Sequence, residues 1–237
     1  MTEPQHASTV IIARDVRDTF EVFMLRRSAK SSFVPDVYVF PGGRVDVLDR
    51  SPAARLRVSG ETMPLEPAYV YAAARESFEE AGLLFGVGSL DPAALRRART
   101  LLLGGSRSFE QTLDDLRTTV DASAMRYFSR WITPAIEPRR FDARFFVARA
   151  PSDQAAEADS FETEDGRWLS PSAALAAHAD GDLAIIFPTI KHLERMLPFS
   201  NVDQLLAFAS TKAIVPVMPD VRDGPEFFLP TMLENAW

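Results

Sequence analysis

Three glutamates crowd the stretch Arg75-Glu76-Ser77-Phe78-Glu79-Glu80-Ala81-Gly82-Leu83. In a helix, Glu76, Glu79 and Glu80 stand at i, i+3 and i+4, so their carboxylates leave from one face and repel one another. Gly82 is a natural residue to end that helix, which puts Glu79 and Glu80 in its last turn, at the negative end of the helix dipole. A hard divalent cation, Mg²⁺ or Mn²⁺, would compensate such a cluster, because carboxylate oxygens are the ligands these ions take. A solvated acidic helix face is the alternative reading of the same residues.

Upstream lies Val37-Tyr38-Val39-Phe40-Pro41-Gly42-Gly43, an apolar strand-like run ended by a proline and two glycines that free the backbone to approach a ligand. A strand, a glycine-rich loop and an acidic helix in that order resemble the box of the Nudix hydrolases, in which Arg-Glu-x-x-Glu-Glu-x-Gly follows a glycine and an earlier glutamate. From Gly43 to Arg75 is thirty-two positions, eighteen more than the box allows, so the loop carries an insertion. Where the box has its first glutamate this chain has Pro67, with Glu66 beside it and Glu61 further back, and Ser77 replaces an apolar residue.

Further pieces are similar to the branch around nudix motif 19, which has an inserted loop within the box. They are Trp131-Ile132-Thr133-Pro134, Arg139-Arg140-Phe141-Asp142, Phe145-Phe146, Arg167-Trp168-Leu169-Ser170-Pro171 and Phe187-Pro188-Thr189. The resemblance implies an α+β fold, the Nudix α/β/α sandwich with a mixed sheet, and hydrolysis of coenzyme A or its thioesters into a 3′,5′-ADP part and a phosphopantetheine part. It implies Glu79 and Glu80 as metal ligands, Glu76 as ligand or base, and Arg75 as the residue that holds the glutamates. Gly42 and Gly43 would let phosphate come close, Arg44 offers a neighbouring charge, and a later loop often adds a carboxylate, for which Glu162 and Glu164 are the candidates. Arg27-Ser28 stands thirteen residues before Phe40, the coenzyme A spacing, although Ser32 and Asp36 replace an Arg and a Gly that accompany that signature. Rival readings are an ADP-ribose or NADH pyrophosphatase and a nucleotide-sensing module without catalysis, the last disfavoured because a sensor has no need to retain mutually repelling carboxylates.

The chain has 237 residues, 46% hydrophobic and 25% charged, enough to build one well-buried core. With no cysteine, thiolate catalysis, disulfides and cysteine zinc sites are excluded. His6, His178 and His192 are too scattered for a metal cluster, and structural or exposed roles are expected for them. A net charge of −7 argues against a general nucleic-acid surface and against capped RNA as substrate. The local basic clusters at Arg26-Arg27-Ser28-Ala29-Lys30, Arg44 and Arg139-Arg140 still suit a diphosphate. The expected partner is therefore a small nucleoside diphosphate derivative, with no nucleic acid and no membrane, and a homodimer is compatible with the sequence. No apolar run approaches the ~18–20 residues of a membrane span, and residues 9–13 are too short for a signal-peptide core, so a cytoplasmic location is expected.

The elements that must position these residues follow from periodicity. Alternation predicts a hairpin from residues 8–15 and 21–25 around Arg17-Asp18, then a strand over 37–40. Residues 47–67 read as a loop with one short helical turn, and 68–84 as the acidic helix. Residues 91–103 and 108–120 read as helices of an insertion spanning about 90–128, with Asp91-Pro92 a cap followed by Pro at the first helical position. Ile132 and residues 141–148 resume the sheet, 161–166 form an acidic loop, and Trp168-Leu169 a short strand. Helices over 173–179, 188–197 and 202–210 and an extended tail complete a single domain over residues 1–237.

Overall fold

The computed structural model describes residues 2–29, 34–62, 64–159, 163–221, 227–234 and 236–237. Strands β1 (Gln5–Val16), β2 (Thr19–Arg27), β3 (Tyr38–Val39) and β4 (Gly42–Arg44) come first. A 3₁₀ turn (Leu48–Arg50), helix α1 (Pro52–Leu56), strand β5 (Val58–Ser59) and the acidic helix α2 (Pro67–Ala81) follow. Next are α3 (Pro92–Leu103), α4 (Phe109–Asp115), β6 (Val120–Asp121), β7 (Met125–Ile132), β8 (Phe141–Arg149) and β9 (Thr163–Leu169). The chain continues through α5 (Pro171–Ala179), α6 (Phe187–Met196), α7 (Val202–Thr211), β10 (Pro216–Val217), β11 (Asp220–Val221) and β12 (Phe227–Phe228).

The main sheet is mixed and runs β10-β7-β8-β1-β2-β3, with β4 also on β1 and β9 also on β2. Pairing is parallel between β1 and β8 and antiparallel between β1 and β2. The first hairpin turns where expected, with Val16 opposite Thr19 and Arg17 in the left-handed region at φ 49°. Both sheet faces are covered, so the central strands are apolar on both sides. Val10, Ile12, Phe23 and Leu25 pack with Val70, Ala74 and Phe78 of α2, whereas Ile11, Ala13, Val22 and Met24 pack with Leu193 of α6 and Leu205 of α7. Full burial of a side chain such as Phe78 stabilises the fold by about 1.5–3 kcal/mol. No described helix is long and apolar enough to cross a membrane.

Helix α2 starts at Pro67, whose missing N–H costs nothing in a first turn, and ends at Gly82, which adopts φ 71°. It is three residues shorter at its C-terminus than the sequence suggests, because the left-handed glycine stops it before Leu83 and Leu84 enter the core. The box insertion over 47–67 is more structured than a loop. Arg57 of this segment makes a two-pronged contact with Asp114 of α4, at 3.0 and 2.7 Å, and β5 pairs parallel with β6. The helical insertion is correspondingly smaller than 90–128, since β7 begins at Met125. Residues 163–166, expected in a loop, belong to β9 and pair along β2.

Candidate active site

Helix α2 and the β3–β4 turn form the floor of a cavity of about 1500 Å³, and Gly42, Gly43, Arg44, Arg75, Glu76, Glu79 and Glu80 all line it. β4 lies antiparallel on β1, Gly43 opposite Ser8 and Gly42 opposite Thr9, which pins the glycines beside α2. A Cβ on Gly42 would lie 2.5 Å from the Ser8 carbonyl oxygen, and one on Gly43 would lie 2.5 Å from the Glu76 carboxyl carbon. Only glycine allows this approach. The Gly42 N–H donates to Glu80 Oε2 at 2.8 Å, so the turn and the helix are joined through a backbone-to-carboxylate bond.

Arg75 is the hub of the site. Its Nη1 donates to Glu76 Oε1 at 2.7 Å and to Glu79 Oε2 at 3.1 Å. Its Nε and Nη2 grip Asp49 at 3.0 and 2.8 Å, and Nη2 also donates to the Arg44 carbonyl at 2.9 Å. Burial opposes the guanidinium charge, but Asp49, Glu76 and Glu79 outweigh it and raise the Arg75 pKa. Burial and the neighbouring charges of Glu79 and Asp49 push Glu76 up to about 7, with Arg75 only partly offsetting them.

Neither Asp49 nor Arg99 was expected at the site from the sequence. From α3, Arg99 donates to the Glu79 carbonyl at 2.9 Å, the Glu80 carbonyl at 3.0 Å and the Glu157 carbonyl at 2.9 Å. The Glu79 and Glu80 carbonyls lie in the last turn of α2, where a helix leaves carbonyls without intrahelical partners, and a cation there suits the helix dipole. The partners of Arg99 are fixed by the tertiary structure rather than by any local motif, whereas Asp49 stands six positions after Gly43, the spacing of the box's first acid when the insertion follows it.

Other expected site residues divide. Arg27, at the end of β2, and Arg139 line the cavity as the basic patches suggest. Arg140 instead donates to the carbonyls of Thr133 and Thr2, at 3.1 and 2.9 Å. Arg26 pairs with Asp36 and Glu164. Glu164, on β9, also accepts from Ser28 Oγ at 2.9 Å, so its carboxylate is held against the end of β2. Glu162 lies outside the described residues, as do Lys30 and Ser32. Asp159 does line the cavity and accepts from the Thr163 N–H at 3.0 Å. The histidines are structural or exposed, as expected: His192 is buried and bonds Ser129 at 2.6 Å, His178 meets the Leu183 carbonyl at 2.8 Å, and His6 is exposed. Among the described residues, no three His, Cys, Asp or Glu side chains already converge as a metal cage. The glutamates are turned toward Arg75 and Gly42.

A mixed sheet covered on both faces, with a glycine turn set against a three-carboxylate helix, defines a Nudix hydrolase. The family model for the NUDT19 Nudix domain matches residues 53–196, more than half of the sequence, and the chain belongs to that family. It is 26% identical to the acyl-coenzyme A diphosphatase NUDT19 of Xenopus laevis over 89% of this chain and 70% of that protein. To the protein of the same name from Homo sapiens it is 26% identical, over 92% of this chain and 69% of that one. The crystal structure of a NUDIX hydrolase from Alicyclobacillus acidocaldarius superimposes with a TM-score of 0.76 at 27% identity, covering 91% of this chain and all of that one.

Proposed function

We propose that this Nudix diphosphatase is dependent on a divalent cation, Mg²⁺ or Mn²⁺, and cleaves the diphosphate of coenzyme A or an acyl-coenzyme A. The observation that carries the proposal is the placement of Glu76, Glu79 and Glu80 together on the floor of one cavity, beside a glycine turn too close for any side chain. The names of the two NUDT19 relatives support the substrate class.

The donor set fits a hard cation, because it offers carboxylate oxygens alone and burial opposes the charge of Glu76. Glu76, Glu79 and Glu80 would hold the ion, which would neutralise phosphate charge and acidify the attacking water. The chain's own residues do the rest. Arg75 holds Glu76 and Glu79 at fixed distances, Gly42 and Gly43 admit a phosphate to the floor, and Arg27, Arg44 and Arg139 supply positive charge along the cavity. Phe40, Trp131, Phe145 and Phe187 give the same cavity an aromatic wall for an apolar or base moiety.

Purified protein with Mg²⁺, offered coenzyme A, an acyl-coenzyme A, ADP-ribose, NADH and capped RNA, tests the assignment. The expected result is preferential release of 3′,5′-ADP from the coenzyme A compounds. A preference for ADP-ribose or NADH would move the substrate class, and no cleavage with any metal would overturn the enzymatic reading.

A further inference from the structure

The cavity of about 1500 Å³ is larger than the roughly 300–1,000 Å³ of an ordinary small-molecule site, and its walls come from both faces of the sheet. Phe40, Trp131 and Phe145 belong to the cluster that packs under α6 and α7. At the other end the wall belongs to the α2 cluster, with Tyr71 and Phe109 in it and Leu102 packed against it. Leu48 of the box insertion and Leu103 of α3 continue that wall outward, where they are 75% and 36% exposed. Large aliphatic side chains left in water at the mouth of a cavity gain most from a ligand that covers them.

The two ends also differ in charge. Among the described residues, the basic side chains that line the cavity are Arg27, Arg44, Arg75 and Arg139, and none of them comes from α3 or α4. Glu110 of α4 lines the second end instead, 3.3 Å from Arg57, and since Arg57 is also bound to Asp114 the group is net negative. A phosphate-bearing moiety is disfavoured there. Tyr71 adds a polar contact: it is 3% exposed, lies edge-on to Phe109 with ring centroids 5.1 Å apart, and its hydroxyl has no hydrogen-bond partner among the described residues. A buried phenol ordinarily finds a partner, and on a cavity wall a ligand can supply it. Tyr71 stands one helical turn before Arg75, next to the carboxylate floor.

We propose that this second end, built by α3, α4 and the box insertion, takes the uncharged arm of the substrate, the amide-bearing pantetheine chain and its acyl group, while the adenosine and its 3′-phosphate occupy the aromatic end. The inference rests on the coenzyme A reading above. Tyr71 donates to an amide oxygen of the chain near the diphosphate, and Leu48, Leu102 and Leu103 cover the acyl carbons further out. The two insertions thereby set the preference for acylated over free coenzyme A.

The test compares wild type with Tyr71→Phe and with the double variant Leu48→Asp/Leu103→Asp, with circular dichroism as the fold control. With Mg²⁺ present, kcat/KM is measured on coenzyme A and octanoyl-coenzyme A, and 3′,5′-ADP, which lacks the whole arm, is measured as a competitive inhibitor. An acyl chain loses roughly fourfold in affinity for each CH₂ left in water, so the double variant should lower the ratio of kcat/KM on octanoyl-coenzyme A to that on coenzyme A about tenfold or more. Tyr71→Phe should lower kcat/KM on both substrates roughly 3–10-fold, mainly through KM, the worth of one hydrogen bond. Inhibition by 3′,5′-ADP should stay within about twofold of wild type in every variant. An unchanged ratio in the folded double variant, wild-type kinetics in Tyr71→Phe, or weaker inhibition by 3′,5′-ADP would overturn the proposal, the last by placing the adenosine at this end. If the double variant does not fold, Leu48→Asp alone decides, because that side chain is 75% exposed: a fall in the ratio of about threefold or more supports the proposal and an unchanged ratio overturns it. A wild type that cleaves neither coenzyme A compound would overturn the substrate reading and this inference together, an outcome distinct from variants that behave as the wild type does.

Discussion

Gly43→Ala is the sharpest perturbation of the site, because the three atoms nearest the added Cβ all belong to a side chain of the chemistry. The new Cβ would lie 2.5 Å from both Cδ and Oε1 of Glu76 and 2.7 Å from Oε2, whereas ordinary contact begins near 3.4 Å. The carboxylate must therefore retreat by about 1 Å, against the Arg75 bond that holds it at 2.7 Å. Overpacking of this kind costs about 1–3 kcal/mol, and for a chain of this size that lowers the melting temperature by several degrees. Displacing a catalytic group by about 1 Å costs on the order of 100-fold in turnover. Steady-state kinetics on coenzyme A with saturating Mg²⁺, beside thermal unfolding of the metal-free protein, should show a large fall in kcat and a modest fall in stability. Gly42→Ala is the contrast: its Cβ would strike the Ser8 backbone carbonyl, so the strand pairing itself should suffer and stability should fall further. A folded Gly43→Ala protein with turnover within about twofold of wild type would refute the reasoning.

Replacing both Glu79 and Glu80 by Gln should cut turnover by orders of magnitude and leave the metal-free fold as stable or slightly more so, since two charges leave the negative end of α2; wild-type turnover would contradict the assignment. Arg99→Ala removes the donor to the Glu79 and Glu80 carbonyls in the last turn of that helix and to the Glu157 carbonyl. Charged hydrogen bonds are worth roughly 1.5–3 kcal/mol, so unfolding in urea should shift accordingly, with faster amide exchange in the last turn of α2; an unchanged midpoint would rule out this capping role. Burial lowers the pKa of His192 from 6.5 to about 3, so the folded protein keeps it neutral while the unfolded chain protonates it. Its contribution is fully present above pH 6.5 and is lost as pH falls toward 3, at up to about 1.4 kcal/mol per pH unit; His192→Gln should flatten that pH slope whatever it does to the stability at neutral pH, and an unaltered slope would assign the pH dependence to other groups.

The parts of this architecture that were legible in the sequence are those whose signals are local. The spacing of Glu76, Glu79 and Glu80, Gly82 as the stop and the two-residue hairpin at Arg17-Asp18 each sit inside a few residues. Strand β9 was hidden because Thr163-Glu164-Asp165-Gly166 is acidic and poor in strand-forming residues. It becomes a strand by pairing along β2, with Gly166 lying against Phe23 so closely that a Cβ would be 2.7 Å from the ring. Most of β7 was hidden by its own irregularity, since its register shifts between Tyr127 and Ser129 and breaks the alternation on which a strand is read. Arg99 belongs to the site through contacts with residues about twenty positions away, for which no local motif exists, whereas Asp49 stands six positions after Gly43, the spacing of the box's first acid when the insertion follows it. The catalytic helix was therefore readable, and the arginine that caps its end was not.

The central claim is that this chain directs water onto a phosphate of a coenzyme A diphosphate. Hydrolysis of coenzyme A in ¹⁸O-water with Mg²⁺, with products resolved by mass spectrometry, tests it most directly. The account predicts 3′,5′-ADP and a phosphopantetheine product with one ¹⁸O incorporated in a phosphate group. Label in a pantetheine or ribose alcohol with none in phosphate, or no cleavage at all, would contradict it.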